Sequence, residues 1–158
     1  MVFRDISHQI QERKIFWSFF CDASDKLYGA VMYYVSQTRR EKIVNMVYAK
    51  QRLAPSKKQT SVDMKLTIPR LELTAILLGA RMIKFAMKEM EMKVRKVYLF
   101  SDASIALAWI KNDIKNQVFI QNRTSEIRNI AQEVEEQVGQ GVVFAHVRTD
   151  ENPADKLT

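Results

Sequence analysis

Thr67-Ile68-Pro69-Arg70-Leu71-Glu72-Leu73-Thr74-Ala75 is the stretch on which the fold turns. Thr67 is a residue type favoured just ahead of a helix, and Pro69 suits a first turn, where its missing N–H costs nothing. Beyond it, Leu71, Ala75, Leu78, Met82 and Phe85 recur at alternating spacings of four and three, the apolar stripe of a long helix that Ile76 and Ile83 widen. Arg81, Lys84 and Lys88 mark its solvent side. Such a helix is expected to lie against a sheet.

The sheet is legible on both sides of it. Upstream, Phe16 to Asp22 is a dense apolar and aromatic run short enough for a buried strand. Leu27 to Val35 and Ile43 to Leu53 have strand composition, with polar turns at Ala23 to Lys26 and at Thr38 to Glu41. Three strands joined by short turns predict an antiparallel meander, followed by a loop from Ala54 to Leu66. Downstream, Val97 to Phe100 is a short buried strand running into Ser101-Asp102, and a helix follows through Ile105, Ala108 and Trp109. Phe119 to Val138 is another helix, with Ile127, Ile130, Ala131, Val134 and Val138 on one face, broken at Gly139 to Gly141. Val142 to Val147 is a last strand, and Asn152-Pro153 starts a helix that the chain barely enters. This order predicts an α/β fold, a mixed sheet flanked by helices. The expected domain spans 15–158, behind a polar leader or linker at 1–14 that holds His8.

Composition excludes several classes. A chain of 158 residues that is 47% hydrophobic can bury a core and is not a disordered tail. With 3 prolines and 4 glycines it is neither a linker nor a collagen-like repeat. No segment reaches the roughly 18 consecutive apolar residues of a membrane span, and Ile15 to Cys21 is too short for a secretory signal core. Cys21 is the 1 cysteine, so an internal disulfide is impossible and an intracellular protein is expected. The net charge of +7 is unevenly spread: Arg39 to Lys96 holds 15 Lys/Arg against 5 Asp/Glu, while the remainder is net acidic. One half of the domain can hold a phosphate backbone.

The acids fall at element ends. Asp22 ends the first strand and Asp102 the fourth; Glu72 is placed in the first turn of the long helix and Asp155 in that of the last. If the first and fourth strands are neighbours, these carboxylates converge at one sheet edge. Like charges so placed raise one another's pKa, and a divalent cation relieves them. Oxygen donors without a cysteine or histidine cage favour Mg²⁺ or Mn²⁺. Singly, each acid has an ordinary explanation: a turn for Asp22, favourable helix N-termini for Glu72 and Asp155, an N-cap for Asp102. Asp25, Asp113, Asp150 and Glu151 lie in turn or loop stretches and belong to no such pattern.

These motifs together resemble the type 1 ribonuclease H domains of long-terminal-repeat retrotransposons, in particular the Bel/Pao group. The resemblance runs from about Phe19 to Asp155. It is carried by Phe20-Cys21-Asp22-Ala23-Ser24, Ala49-Lys50-Gln51-Arg52-Leu53-Ala54-Pro55, the Thr67–Ala75 stretch and Tyr98-Leu99-Phe100-Ser101-Asp102-Ala103-Ser104 with Ala108-Trp109-Ile110. His146-Val147 and Glu151-Asn152-Pro153-Ala154-Asp155 close it. The resemblance implies a five-stranded mixed sheet, three antiparallel strands then parallel ones. It also implies a site of two Mg²⁺ ions, with Mn²⁺ able to substitute, held by Asp22, Glu72, Asp102 and Asp155. Asp22 would bridge both ions. His146 is the expected aid to proton traffic or product release, and Ser24, Thr67, Arg70 and Ser104 the expected contacts to an RNA–DNA hybrid. Ile68-Pro69 replaces polar residues of cellular relatives. Cys21 reads as a small buried strand residue, and Trp109 and Phe119 as core.

The function implied is cleavage of the RNA strand of hybrids during reverse transcription. The domain would be fused to or act with a reverse transcriptase, off the membrane and in a cytoplasmic retroelement particle. The competing reading is a catalytically weak or inactive hybrid-binding remnant, favoured by the short stretch after Asp155, which is expected to fray. Survival of all four acids favours the enzyme. An integrase of the same superfamily should carry its glutamate last, and here the glutamate comes second.

Overall fold

Strict alternation sets the first strand. Trp17, Phe19 and Cys21 point to one side of β1 (Lys14–Ala23) and are wholly buried, while Phe16, Ser18 and Phe20 face the other side half-covered. The computed structural model describes residues 13–55 and 67–158. The expected leader at 1–12 with His8, and 56–66 of the expected loop, lie outside the described residues. Lys14, assigned to the leader from sequence, belongs to β1.

β1 pairs antiparallel with β2 (Leu27–Gln37), which pairs antiparallel with β3 (Lys42–Leu53), the meander expected from the turns. On its other side β1 pairs parallel with β4 (Lys96–Ser101), and β4 pairs parallel with β5 (Val143–His146). The five strands run in the order β3-β2-β1-β4-β5. The parallel pairs require long crossovers. The first is α1 (Ile68–Glu89); the second is α2 (Ser104–Lys111) with α3 (Val118–Val138). The sheet is therefore the mixed one read from the element order, with the five strands that the family resemblance implies.

α1 lies on the Trp17–Phe19–Cys21 face of the sheet. Its approach is close because Gly79 has no side chain: a Cβ there would sit 2.5 Å from Cys21 Sγ and 3.4 Å from Leu99 Cδ1. Leu73, Ala75, Ile76, Met82 and Ile83 complete the contact and are buried. Two expectations for this helix need correction. Phe85, placed in the buried stripe, is 53% exposed, whereas Leu73, Leu77 and Ala80 are buried. The reason is that α1 packs on the sheet and on α3 together, so its buried arc is broader than one stripe and rotated from it. Phe85 instead lies toward β3, against Tyr48 and 5.7 Å from Lys50 Nζ. The Tyr48 hydroxyl donates to the Met82 carbonyl at 2.9 Å, and burial pushes its pKa up to about 12. Thr67 does occupy the N-cap, but its side chain makes no capping bond; its carbonyl accepts from Leu71 N at 3.1 Å.

The solvent side of α1 is not idle. Arg81 donates to both carboxylate oxygens of Glu126 on α3 at 2.9 Å, and Lys84 pairs with Glu133. Arg128 closes α2 by donating to the carbonyls of Ile110 and Asn112. After β5 the chain forms two short 3-10 turns, Thr149–Glu151 and Pro153–Leu157, in place of the expected last helix. No helix among the described residues is long and apolar enough to cross a membrane.

Candidate active site

The site lies at the carboxyl ends of β1 and β4, where open α/β sheets bind ligands. Cys21 of β1 is paired with Ser101 of β4, so the next residues stand side by side: Asp22, still in β1 and paired with Gly29 of β2, and Asp102, just past the end of β4. Glu72 reaches the same edge from α1. It is the fifth residue of that helix, past the first turn in which it was expected. At that depth the helix dipole no longer accounts for it. Asp155 lies in the Pro153–Leu157 turn and is exposed.

The acids feel one another. Burial raises the pKa of Asp22 above the ordinary carboxylate value; the Thr158 hydroxyl, which donates to Asp22 Oδ2, opposes this, and the charges of Asp102 and Asp155 add to it. Glu72 is pushed up to about 7, first by burial and then by Asp102 and Asp22. Asp102 Oδ2 accepts from the Thr149 hydroxyl at 2.8 Å, while its Oδ1 is buried with no hydrogen-bond partner. An N-cap role for Asp102 is excluded, since the cap residue of α2 is Ala103.

The stretch expected to fray is instead docked. Asn152, only 4% exposed, donates to the Cys21 carbonyl at 3.0 Å and accepts from Ala154 N at 3.1 Å. Ala154 is wholly buried, Leu157 packs beside Gly29 of β2, and Gln51 donates to the Leu157 carbonyl. Asn152 thus ties the Asp155 turn to the strand that carries Asp22. Sequence reading took Asn152 for a helix start; its second bond, to a strand 131 residues away, had no local signal.

The remaining expected residues are less tightly gathered. His146, the last residue of β5, is exposed and sits opposite Ser101, beside the acids rather than among them. The Ser24 hydroxyl accepts from Lys26 N and Leu27 N and donates to the Leu27 carbonyl, so it builds the β1–β2 turn. Thr67 and Ser104 are exposed at the starts of α1 and α2. Arg70 stands 5.4 Å from the Phe119 ring. Phe119 and Trp109 are half-buried at the core's margin instead of within it. Cys21 is the expected inert strand residue, its thiol pKa raised by burial. Lys50, Arg52 and Arg81 flank a cleft of about 130 Å³ between α1 and the β2–β3 hairpin, part of the basic face expected from the charge distribution.

Residues 1–103 match the family described as Pao retrotransposon-like RNaseH-like domain. The chain belongs to that family. Among solved structures, it is similar to LC11-RNase H1 from compost, seen in complex with an RNA/DNA hybrid. The TM-score is 0.54 at 16% identity, covering 91% of this chain and 93% of that one. It is also similar to the N-terminal RNase H domain of rv2228c from Mycobacterium tuberculosis, with TM-score 0.53 and 12% identity over 93% and 91% of the two chains. At such identities these likenesses concern the fold. The comparison with curated proteins gave no match.

The acid edge of this RNaseH-like domain suits a hard divalent cation by its chemistry. Its donors are carboxylate oxygens, two of them with raised pKa values, and one buried oxygen of Asp102 has no partner to satisfy it. Among the described residues, no group of three or more acidic, histidine or cysteine side chains is arranged to hold a metal as it stands.

Proposed function

We propose that this domain is a divalent-metal-dependent endonuclease that hydrolyses the RNA strand of RNA–DNA hybrids. The observation that carries the reading is the convergence of Asp22, Glu72 and Asp102 at one sheet edge, where Asp102 raises the pKa of Asp22 and both raise that of Glu72, in a fold shared with RNase H1. Asp22, Glu72 and Asp102 would hold Mg²⁺, or Mn²⁺ in its place, with Asp155 completing the set. Two such cations supply an activated water and neutralise charge on the leaving oxygen. The protein's own part is to hold the acids at the rim and to align the hybrid. Ser24, Thr67, Arg70 and Ser104 are the proposed contacts to it, through 2′-hydroxyls and phosphates. Kinship with Pao elements supports a role in reverse transcription, beside a reverse transcriptase in a retroelement particle.

A second reading, a hybrid-binding domain without catalysis, is favoured by one observation: the Thr158 hydroxyl holds the carboxylate that would bridge the metals. Incubation with labelled hybrid, duplex RNA and duplex DNA, with and without Mg²⁺, separates the two. The expected result is Mg²⁺-dependent cutting of the hybrid's RNA strand alone. Binding to hybrid without any cleavage, in Mg²⁺ or Mn²⁺, would select the second reading.

His146 bears on turnover. Its imidazole is exposed at the end of β5, one strand from Asp102, so it can exchange protons with solvent. Proton-transfer groups typically contribute about 10²–10⁴-fold; for a residue beside the acids the lower end is expected. His146→Ala should therefore lower kcat roughly 100-fold at pH 7 and leave hybrid affinity and Tm unchanged. Steady-state rates equal to wild type from pH 6 to 9 would make His146 an ordinary strand end.

A further inference from the structure

The segment that leaves β5, residues 147–152, is bonded to the tips of both acid-bearing strands. Val147 N donates to the Ser101 carbonyl of β4 at 3.0 Å, and Asn152 Nδ2 donates to the Cys21 carbonyl of β1 at 3.0 Å. Both are bonds to backbone, and they fix the segment at its two ends. Between them the Thr149 hydroxyl donates to Asp102 Oδ2 at 2.8 Å, a bond that ends on a carboxylate. Thr149 opens a short 3-10 turn, in which its carbonyl accepts from Asn152 N at 3.3 Å. The hydroxyl is thus carried by a turn anchored to β4 on one side and to β1 on the other.

Asp102 has little else to orient it. It stands past the end of β4 and ahead of α2, so neither strand pairing nor a helix holds it. Among the described residues, no lysine or arginine lies within ion-pair distance of it. With Oδ2 engaged by Thr149, the carboxylate cannot turn freely, and Oδ1 is the oxygen left over, buried and without a partner. A buried acceptor in that state calls for a donor or a cation to satisfy it. Carboxylates that ligate metals are themselves held by hydrogen bonds, and removing such an outer partner typically costs about 10–100-fold in metal affinity or activity.

We propose that Thr149 is a positioning residue, whose hydroxyl fixes Asp102 Oδ2 so that Oδ1 is presented to a divalent cation at the acid edge. This rests on the metal-dependent reading above and adds to it a residue that acts through Asp102 alone. Thr149 is exposed, so its methyl group has little to pack against and the hydroxyl is the part that matters.

The test is thermal melting of the whole chain over a range of Mg²⁺ concentrations at pH 8, with no nucleic acid present. The rise of Tm with Mg²⁺ gives the dissociation constant of the ion without any cleavage. Thr149→Val exchanges the hydroxyl for a methyl group of nearly the same shape. It should raise that constant roughly 10–100-fold, while Tm in EDTA and hybrid affinity in EDTA stay at the wild-type values. Thr149→Ser keeps the hydroxyl and should restore the Mg²⁺ response. Cleavage should follow the same order, and high Mg²⁺ should recover much of the rate that the valine variant loses. A packing role for Thr149 predicts the opposite pattern: the serine variant, lacking the methyl group, would be impaired and the Tm in EDTA would fall. Thr149→Ala also lacks the hydroxyl and keeps the comparison open if the valine variant does not fold. Wild-type Mg²⁺ affinity in Thr149→Val overturns the proposal, and so does tighter binding, which would mean that the hydroxyl competes with the cation for Asp102. The underlying reading fails differently. A wild-type protein whose Tm ignores Mg²⁺ and that cuts nothing removes the metal site and Thr149's role together; a wild-type response that the valine variant shares removes Thr149 alone.

Discussion

Asp22→Asn is expected to abolish hybrid cleavage, and the variant should melt at the same temperature as the parent or higher. The carboxylate is 6% exposed at the end of β1, where burial and the charges of Asp102 and Asp155 all disfavour ionisation. Asparagine keeps the shape and can still accept a hydrogen bond from the Thr158 hydroxyl, but carries no charge. The metal-free fold therefore loses a repulsive group and little else. For catalysis the sign reverses. A charge that should bridge two cations cannot be replaced by a neutral amide, so the rate should fall at least 10³-fold, about 4 kcal/mol of transition-state stabilisation. Hybrid affinity in EDTA should stay within about twofold of wild type, well under 1 kcal/mol. Cleavage in Mg²⁺ near the parent rate would remove Asp22 from the site, and a lower Tm with intact cleavage would make it a structural residue.

Which parts of this were legible without coordinates follows from how local the signals are. The dense apolar run Phe16–Asp22 and turn chemistry around Ser24 and Thr38 specify strands and hairpins through neighbours a few residues away, and the meander formed as expected. The convergence of Asp22 and Asp102 rests on one condition that no local signal supplies, that β1 and β4 be neighbours, and they are. What failed was set by contacts between elements. Phe85 has stripe spacing, yet α1 is wedged between sheet and α3, which moves the buried arc past it. Glu72 lies past the first turn expected for it, although Thr67 is the cap residue as expected, because it is the fifth residue of α1. The docking of the last turn depends on Asn152 reaching the Cys21 carbonyl, a contact no periodicity encodes. Phe119 was read as core from its composition alone; its ring instead carries two guanidiniums.

Glu72→Gln should cost most of the cleavage and, independently, flatten the pH dependence of stability in the metal-free domain. Glu72 titrates near 7 in the fold against an ordinary 4.5, because burial and then Asp102 and Asp22 disfavour its charge. Between those values the folded chain holds a proton that the unfolded chain has released. More protons on the native state mean that stability falls as pH rises. The contribution is fully present below about pH 4.5 and lost as pH passes 7; the raised pKa of Asp22 acts in the same direction. Glu126 acts oppositely, its pKa lowered by Arg81, but its contribution is lost only in acid, below the window. Wild-type Tm in EDTA should therefore drop by a few degrees between pH 5 and 8, since 1 kcal/mol corresponds to roughly 2–4 °C in domains of this size. The drop is kept modest by the half-exposed position of Glu72, where solvent screens the repulsion. In Glu72→Gln the drop should shrink, leaving the share from Asp22. Mg²⁺ should raise the wild-type Tm at pH 8 far more than at pH 5, because the ion binds ionised carboxylates and stabilises in proportion to the logarithm of its saturation. In the variant that Mg²⁺ response should be weaker and cleavage at least 100-fold slower, about 2.7 kcal/mol in the barrier. Differential scanning of the two proteins at both pH values, with EDTA and with Mg²⁺, decides it: parallel curves for wild type and Glu72→Gln would mean that Glu72 does not share the site's charge.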